Sequence, residues 1–446
     1  VGRWKVLLAE KILRGDEEMR RTERILELLV TGKAIRGTAN ALWKKTIKWW
    51  KWLWREMDRV IGLASREIYK RTVKTNPKKV FFFTQEFRYG CNPKYICEEL
   101  RRRNLEDIDI VWRVAPKSRG GVPKEIKSVK AGTLEYYREL FSSKIIVANS
   151  YIFLDQTTFL KKDQVLIQTW HGSLGIKKFG KNDMKDGWRR IFASIETGKM
   201  SNYCITNSDF VTQSLRNTYW PKTEMLQYGH PRNDLFFSNY KNFRNKLRES
   251  LCEKWGCDKS TRFVMYGPTF RDAKDFSCYE LDYIQLLQAL KNKFGGEWTV
   301  LLRYHPSLRK IYKSKGININ EMDVPAIDVT GYLDMQELIA VTDVAITDYS
   351  SWIYDFMLQR RPGFIFATDI DEYNTERGFC YPLETTPFPI ARNNKELMQN
   401  IDAFDEKMYL DRLEAFLKDK GCIEDGHASE RVVNKIIELM AENKKS

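Results

Sequence analysis

Three of the chain's four histidines stand beside glycine or proline, where an apolar, strand-like run gives way to a polar loop: Trp170-His171-Gly172, Gly229-His230-Pro231 and Tyr304-His305-Pro306. A histidine titrates near neutral pH and can take the proton of a hydroxyl, whereas arginine and protonated histidine neutralise phosphoryl oxygens. Further expected strand ends carry Asn149-Ser150, Asn207-Ser208, Arg232-Asn233, Gly267-Pro268-Thr269, Arg303 and Asp348-Tyr349-Ser350-Ser351. In VAITDYSSWIYDF a strand passes into a helix starting near Ser350. Ser350 and Ser351 are expected to cap it, with hydroxyls and backbone N–H groups facing an anion. Asp355 falls one turn beyond Ser351 on the same face, placed either to accept hydrogen bonds from a ribose or to act as a solvated or capping carboxylate. Together these residues describe a phosphate-handling cleft without a metal. The triplet DID occurs at 107–109 and 369–371, and among 59 Asp and Glu both occurrences are expected by chance.

The elements that must position these residues begin after Pro77. KVFFFTQ, DIVWRVA, KIIVANS, VLIQTW and YCITNS read as strands of a first block, and RFVMYGP, WTVLLRYHP, VAITDYS and GFIFATD as strands of a second. Strands alternating with polar helical segments imply parallel sheets covered by helices on both faces. The expected fold is therefore α/β, with two doubly wound, Rossmann-like domains facing a cleft. The boundaries drawn are 1–76 for a basic helical segment, 77–240 for an acceptor domain and 241–446 for a donor domain. Ligands of such sheets bind beyond the carboxyl ends of the strands, where the polar residues above are found. No GxGxxG fingerprint and no Walker phosphate loop is present, which argues against nicotinamide, flavin or nucleoside-triphosphate chemistry.

The net charge of +16 is concentrated at one end, since residues 1–80 hold 21 Lys and Arg against 9 Asp and Glu. Within NALWKKTIKWWKWLWREMDRVIG, residues 40–62, an angular count of 100° per residue puts Trp43, Trp49, Trp50 and Trp54 on an apolar face and Lys44, Lys45, Lys48, Lys51, Arg55 and Arg59 opposite. Tryptophan favours the lipid headgroup region and lysine meets anionic phosphates, so a helix lying on an anionic membrane surface is expected. Nucleic acid is disfavoured as a partner, because the aromatics are segregated from the cations instead of interleaved with them. Residues 1–36 read as further charged helix. No apolar run reaches the ~20 residues that span a bilayer, and no signal peptide is visible. The eight cysteines lack metal-site or disulfide-framework spacing, so reduced thiols and a cytoplasmic location are expected.

Taken in order, FFFTQEFRYGCNPKYICEEL, QTWHG, GHPRND, YGPTFR, RYHP, TDYSSWIYDF and DGHASERVV make the chain resemble the CDP-glycerol glycerophosphotransferases, the teichoic-acid primases and polymerases and their capsule-forming relatives, over roughly residues 78–440. The resemblance implies a glycosyltransferase-B type fold and transfer of a polyol phosphate from a CDP-activated donor to a membrane-bound, lipid-linked or polymeric acceptor, with release of CMP. It implies that His171 is the catalytic base and that His305, Ser350 and Ser351 contact the donor pyrophosphate. Arg303 and Arg271 are then candidates to stabilise pyrophosphate charge, with Thr269 and Asp355 on the same donor side. Asn149, Asn207, His230, Arg232 and Asn233 are assigned to the acceptor side of the cleft. No cofactor or metal is implied, and the expected location is peripheral, at the cytoplasmic face of the membrane. The alternatives are a CDP-ribitol donor, a sugar-nucleotide glycosyltransferase of the same fold, or a non-enzymatic membrane-attached protein that binds an anionic polymer.

Overall fold

The computed structural model describes residues 66–442, apart from 86, 106, 116–117, 151–159, 179–187, 238–239, 272–278, 306–307 and 309–323, together with 49, 50 and 64. Residues 1–73 with 132–138 form one compact unit, and 74–131 with 139–446 another. In the first unit Trp49 and Trp50 are helical and half-exposed, with rings edge-to-face at 5.6 Å. The rest of the expected 40–62 helix, Trp43 and Trp54 included, and the expected helices of 1–36 lie outside the described residues. Among the described residues no helix is long and apolar enough to cross a membrane.

The second unit holds two all-parallel sheets among its described residues. The first comprises β1 (Asn76–Phe83), β2 (Asp109–Val114), β3 (Lys127–Lys130), β4 (Ser143–Ala148), β5 (Val165–Gln168), β6 (Tyr203–Thr206) and β7 (Glu224–Gln227), in the order β3-β2-β1-β4-β5-β6-β7. The second comprises β8 (Arg262–Tyr266), β9 (Trp298–Leu302), β10 (Ala326–Asp328), β11 (Val344–Thr347), β12 (Gly363–Phe366) and β13 (Ile390–Ala391), in the order β10-β9-β8-β11-β12-β13. The nine strands expected from apolar runs are all present. In each sheet the winding reverses beside the first strand, between β1 and β4 and between β8 and β11. That reversal opens a crevice at the carboxyl ends, the usual ligand position of a doubly wound sheet.

Burial explains the central strands. Every residue of β4, β9, β11 and β12 is buried, as a parallel strand covered on both faces requires. Five helices matter for the site: α1 (Cys91–Arg102), α2 (Asp209–Thr218), α3 (Met335–Val341), α4 (Trp352–Met357) and α5 (Ala428–Glu442). Ser208 caps α2 by accepting from Val211 N at 3.1 Å, worth about 1 kcal/mol.

The domain boundaries expected from the sequence need two corrections. Helix α5 does not stay with the second sheet: Val432, Val433, Ile436 and Leu439 complete the core that holds Val80, Phe82 and Ile145 of the first. Conversely, Leu174 and Ile176, which follow β5, are buried in the core of the second sheet. The chain therefore crosses between the lobes more than once, because each lobe needs apolar side chains that the other end of the sequence supplies.

Candidate functional site

Trp170 adopts a left-handed backbone, φ +51°, at the end of β5. That conformation costs a non-glycine residue about 1 kcal/mol. The surroundings hold it there. The side-chain amide of Asn92, on α1, donates to the carbonyls of Thr169 and Trp170 at 2.9 and 3.3 Å, and the indole packs edge-on against Trp220 at 5.4 Å. Gly172 is required next, since a Cβ there would sit 2.8 Å from Trp170 Nε1. With its neighbours so fixed, His171 is exposed at the mouth of the sheet. Its Nδ1 lies 2.8 Å from the backbone oxygen of Asn149, at the end of β4. A carbonyl only accepts, so Nδ1 carries the proton and the neutral ring has its lone pair on Nε2. That tautomer suits a proton acceptor.

His171 lines a cleft of about 430 Å³ with Thr84, Gln85, Arg88 and Asn149 from the first lobe, Lys177 from the segment that crosses between the lobes, and Thr269, Arg303, His305, Ser350 and Ser351 from the second. These residues lie just beyond β1, β4 and β5 on one side and beyond β8, β9 and β11 on the other, so the two reversal points face one another. Arg303 is fixed by its Nη1, which donates to the carbonyls of Val329, Thr330 and Tyr332 at 2.6–3.0 Å. The ring of His305 is exposed and lies 5.2 Å from that of Phe270. Helix α4 begins at Trp352, two residues later than expected, and Ser351 stands at its N-cap without a side-chain capping bond. The capping role expected for the two serines is therefore not observed for Ser351, yet both line the cleft.

Arg271 belongs elsewhere. It is buried, pairs with Asp348 at 2.8 Å and grips Asp369 through Nε and Nη2 at 2.7 and 2.9 Å. Its guanidinium also lies 4.8 Å from the ring centres of Tyr349 and Tyr373. Asp348 in turn accepts from the backbone N–H of Thr269, so this pair shapes the second lobe's wall instead of offering charge to a ligand. The DID triplets are likewise engaged: Asp107 with Lys78, Asp109 with Lys79, Asp369 with Arg271 and Asp371 with Arg392.

Beneath the cleft lies a buried polar junction that the sequence assigned to the acceptor surface. Arg232 reaches the cleft wall, but its guanidinium is engaged. Nη1 donates to the carbonyl of His171 at 2.7 Å, Nη2 to Asp355 Oδ1 at 3.3 Å, and Nε pairs with Asp355 Oδ2 at 2.9 Å. Asp355 also accepts from the side-chain amides of Asn233 at 3.3 Å and Gln336, on α3, at 3.1 Å. It thus lines the cleft with its carboxylate already occupied, which argues against the ribose role. Asn207, His230 and Asn233 are buried and do not line the cleft. They surround Glu424, whose carboxylate accepts from Asn207 Nδ2 at 3.0 Å, Asn233 Nδ2 at 2.8 Å and the backbone N–H of His230 at 3.0 Å. Asp234 accepts from the N–H groups of Ala428 and Ser429 at 2.9 and 2.6 Å, capping α5 from a distance. Glu424 is a residue that sequence reasoning missed, since nothing in its surroundings distinguishes it from a surface carboxylate. Gln85 and Arg88 were passed over as well, although their place after β1 is itself the signal of a strand end.

Burial pushes the Glu424 carboxyl up from 4.5 to about 8. Burial, reinforced by the charge of Arg232, holds the His230 imidazole well below 6.5. Unfolded, Glu424 would ionise near 4.5; folded, it keeps its proton until about pH 8, so over that window the folded state binds more protons and stability falls as pH rises. His230 acts in the opposite sense, but only below 6.5, where the unfolded state alone takes its proton. Between 6.5 and 8 the falling Glu424 contribution of this pair acts alone. The melting temperature is accordingly expected to decline across that range, and Glu424→Gln to flatten the decline. A slope unaltered by the substitution would mean that Glu424 is ionised throughout.

Residues 66–438 match the family described as CDP-glycerol:poly(glycerophosphate) glycerophosphotransferase. A teichoic acid poly(glycerol phosphate) polymerase of Staphylococcus epidermidis is 29% identical over 401 residues, covering 82% of this chain; the chain spans only 52% of that relative's length. A teichoic acid ribitol-phosphate primase of Bacillus spizizenii is 27% identical over 397 residues, covering 86% of this chain and 96% of the relative. The solved structure of the wall teichoic acid polymerase TagF superposes with a TM-score of 0.74 at 25% identity, covering 92% of this chain and 100% of that one. With motif order, two-lobed topology and a match across residues 66–438 in agreement, the chain belongs to the CDP-glycerol:poly(glycerophosphate) glycerophosphotransferase family.

Proposed function

We propose that this protein transfers glycerol phosphate from CDP-glycerol to a hydroxyl of a lipid-linked or polymeric acceptor in the synthesis of a teichoic acid or related cell-surface polymer. The observation that carries the reading is that His171 lines the same cleft as Arg303, His305, Ser350 and Ser351. The acceptor hydroxyl oxygen attacks the β-phosphorus of the donor, a phosphodiester bond forms, and the bond from that phosphorus to the CMP oxygen breaks. Nε2 of His171 takes the hydroxyl proton and CMP departs. Arg303 and His305 stabilise the charge that gathers on the pyrophosphate, while Ser350 and Ser351 orient it. The step rests on positioning and on preorganised charge and includes no cofactor.

The ribitol-phosphate relative supports a second reading, in which the donor is CDP-ribitol. Incubation with CDP-glycerol and CDP-ribitol in separate arms, each with a lipid-linked glycerol phosphate acceptor, tests both. CMP release that depends on the acceptor in the glycerol arm is expected. Release only with CDP-ribitol would move the assignment, and release with neither would overturn transferase activity on CDP-polyols.

The basic, tryptophan-rich stretch around Trp49 and Trp50 supports placing the enzyme at the cytoplasmic face of the membrane as a peripheral protein, next to its acceptor. Replacing Trp49, Trp50 and Trp54 with serine is expected to abolish sedimentation with anionic vesicles while leaving transfer to a soluble acceptor analogue largely intact. Vesicle binding equal to that of the parent protein would sink the membrane assignment.

A further inference from the structure

The loop that carries His171 does not end in its own lobe. After Gly172 it crosses to the second lobe, where Leu174 and Ile176 are each 1% exposed within the second core. There it pairs with the segment 378–381. Lys178 N donates to Gly378 O at 3.1 Å, Cys380 N to Ile176 O at 2.8 Å, and Lys177 and Phe379 form an antiparallel bridge. The hydroxyl of Tyr381 donates to the carbonyl of Leu174 at 2.7 Å and lies 2.7 Å from the hydroxyl of Tyr354. Tyr354 sits on α4, three residues after Ser351.

The proton arrangement along this line follows from the partners. The carbonyl of Leu174 can only accept, so the single proton of Tyr381 points to it. The contact between the two hydroxyls then requires Tyr354 to donate to Tyr381. The result is a directed chain, Tyr354 O–H to Tyr381 O–H to Leu174 C=O, in which each bond polarises the next. Burial raises both phenols well above their ordinary range, so both keep their protons. One end of the chain is fixed to the helix behind Ser350 and Ser351; the other holds the main chain three residues beyond His171.

We infer that Tyr381 is a positioning residue for the transfer reaction: its hydroxyl fixes the distance between the histidine that takes the acceptor proton and the wall that receives the donor phosphates. This inference rests on the proposed function for its catalytic consequence but on geometry alone for its structural one. A displacement of reacting groups by about 1 Å can cost a hundredfold in rate, and Tyr381 touches neither substrate nor His171 directly. Its loss should therefore lower the rate of the chemical step without weakening the donor's own contacts.

The test is Tyr381→Phe in the full chain. Phenylalanine keeps the ring packed edge-on against Phe210 at 5.4 Å and Phe416 at 5.8 Å and under Lys420 Nζ at 4.3 Å, so the fold is retained. With CDP-glycerol and acceptor, kcat is expected to fall by about tenfold to a hundredfold while the donor KM stays within about twofold. Backbone amides of residues 173–178 should exchange with deuterium faster than in the parent protein. Tyr354→Phe added to Tyr381→Phe should cost no further rate, because the Tyr354 bond acts only through Tyr381. An unchanged kcat, or a fall in kcat matched by a rise in KM and a drop in melting temperature, would overturn the positioning role. Were the parent protein itself to release no CMP, the proposed function would fail instead. The exchange measurement would still decide whether the hydroxyl holds the loop, since unchanged protection at 173–178 refutes that it does.

Discussion

His171→Ala is expected to fold normally, bind CDP-glycerol with near-parental affinity and turn over about 10²–10⁴-fold more slowly, the usual contribution of a positioned proton acceptor. The side chain is exposed, and its one hydrogen bond described above is to the Asn149 carbonyl. Removing it should cost stability only about 0.5–1.5 kcal/mol. The donor contacts proposed above belong mainly to the other lobe, so calorimetry with CDP-glycerol should register little change. His171→Gln should recover almost nothing, because an amide can accept a hydrogen bond from the hydroxyl yet cannot take its proton. Steady-state rate and melting temperature measured on one preparation decide the matter. A folded, donor-binding variant with near-normal turnover would exclude His171 as the base.

Arg232→Met should produce the largest loss of stability. It strands Asp355, 3% exposed, as a buried carboxylate whose cationic partner is gone. Breaking such a pair from one side typically costs about 3–5 kcal/mol. The double variant Arg232→Met/Asp355→Leu removes both charges and should regain most of that stability, as buried pairs replaced by apolar residues often do. It should not regain turnover, because the His171 carbonyl has still lost its donor at 2.7 Å. Urea denaturation of the two variants gives the stability comparison, and CMP release gives the other. A double variant as unstable as the single one would show that Asp355 is not the group left stranded.

The contrast between these residues shows what could be read from the chain beforehand. The interior strands were legible because a parallel strand buried on both faces must be a continuous apolar run, as VAIT and GFIF are. The four strands that went unread are β3, β7, β10 and β13, and each is a sheet edge. With one neighbour and partial exposure, KSVK and EMLQ carry lysine or glutamate where a central strand would carry valine. At the site the same logic divides the residues. His171, His305, Ser350 and Ser351 line the cleft as expected of polar residues that follow a strand, because the strand ends form the rim of such a sheet. Asn207, His230 and Asn233 satisfy the same rule but face inward, towards a glutamate about two hundred residues away in the sequence. Rim and junction look alike until the long-range partner is known. Arg271 was misread for a related reason: its basic charge was visible, but Asp348 and Asp369, which neutralise it, are distant in the chain.

The return of α5 to the first lobe has a consequence for how the protein is made. A ribosome releases the chain from its amino end, and a domain usually folds once its own residues have emerged. Here β1 to β7 are complete by residue 227, yet one wall of their core is built from Val432, Val433, Ile436 and Leu439. The same nascent lobe sends Leu174 and Ile176 into a core that does not exist until the second sheet has been synthesised. The first lobe is thus held with apolar surface uncovered until the second sheet and α5 have been made. A chain stalled near residue 425 would expose Val80, Phe82 and Ile145 to chaperones or to other nascent chains.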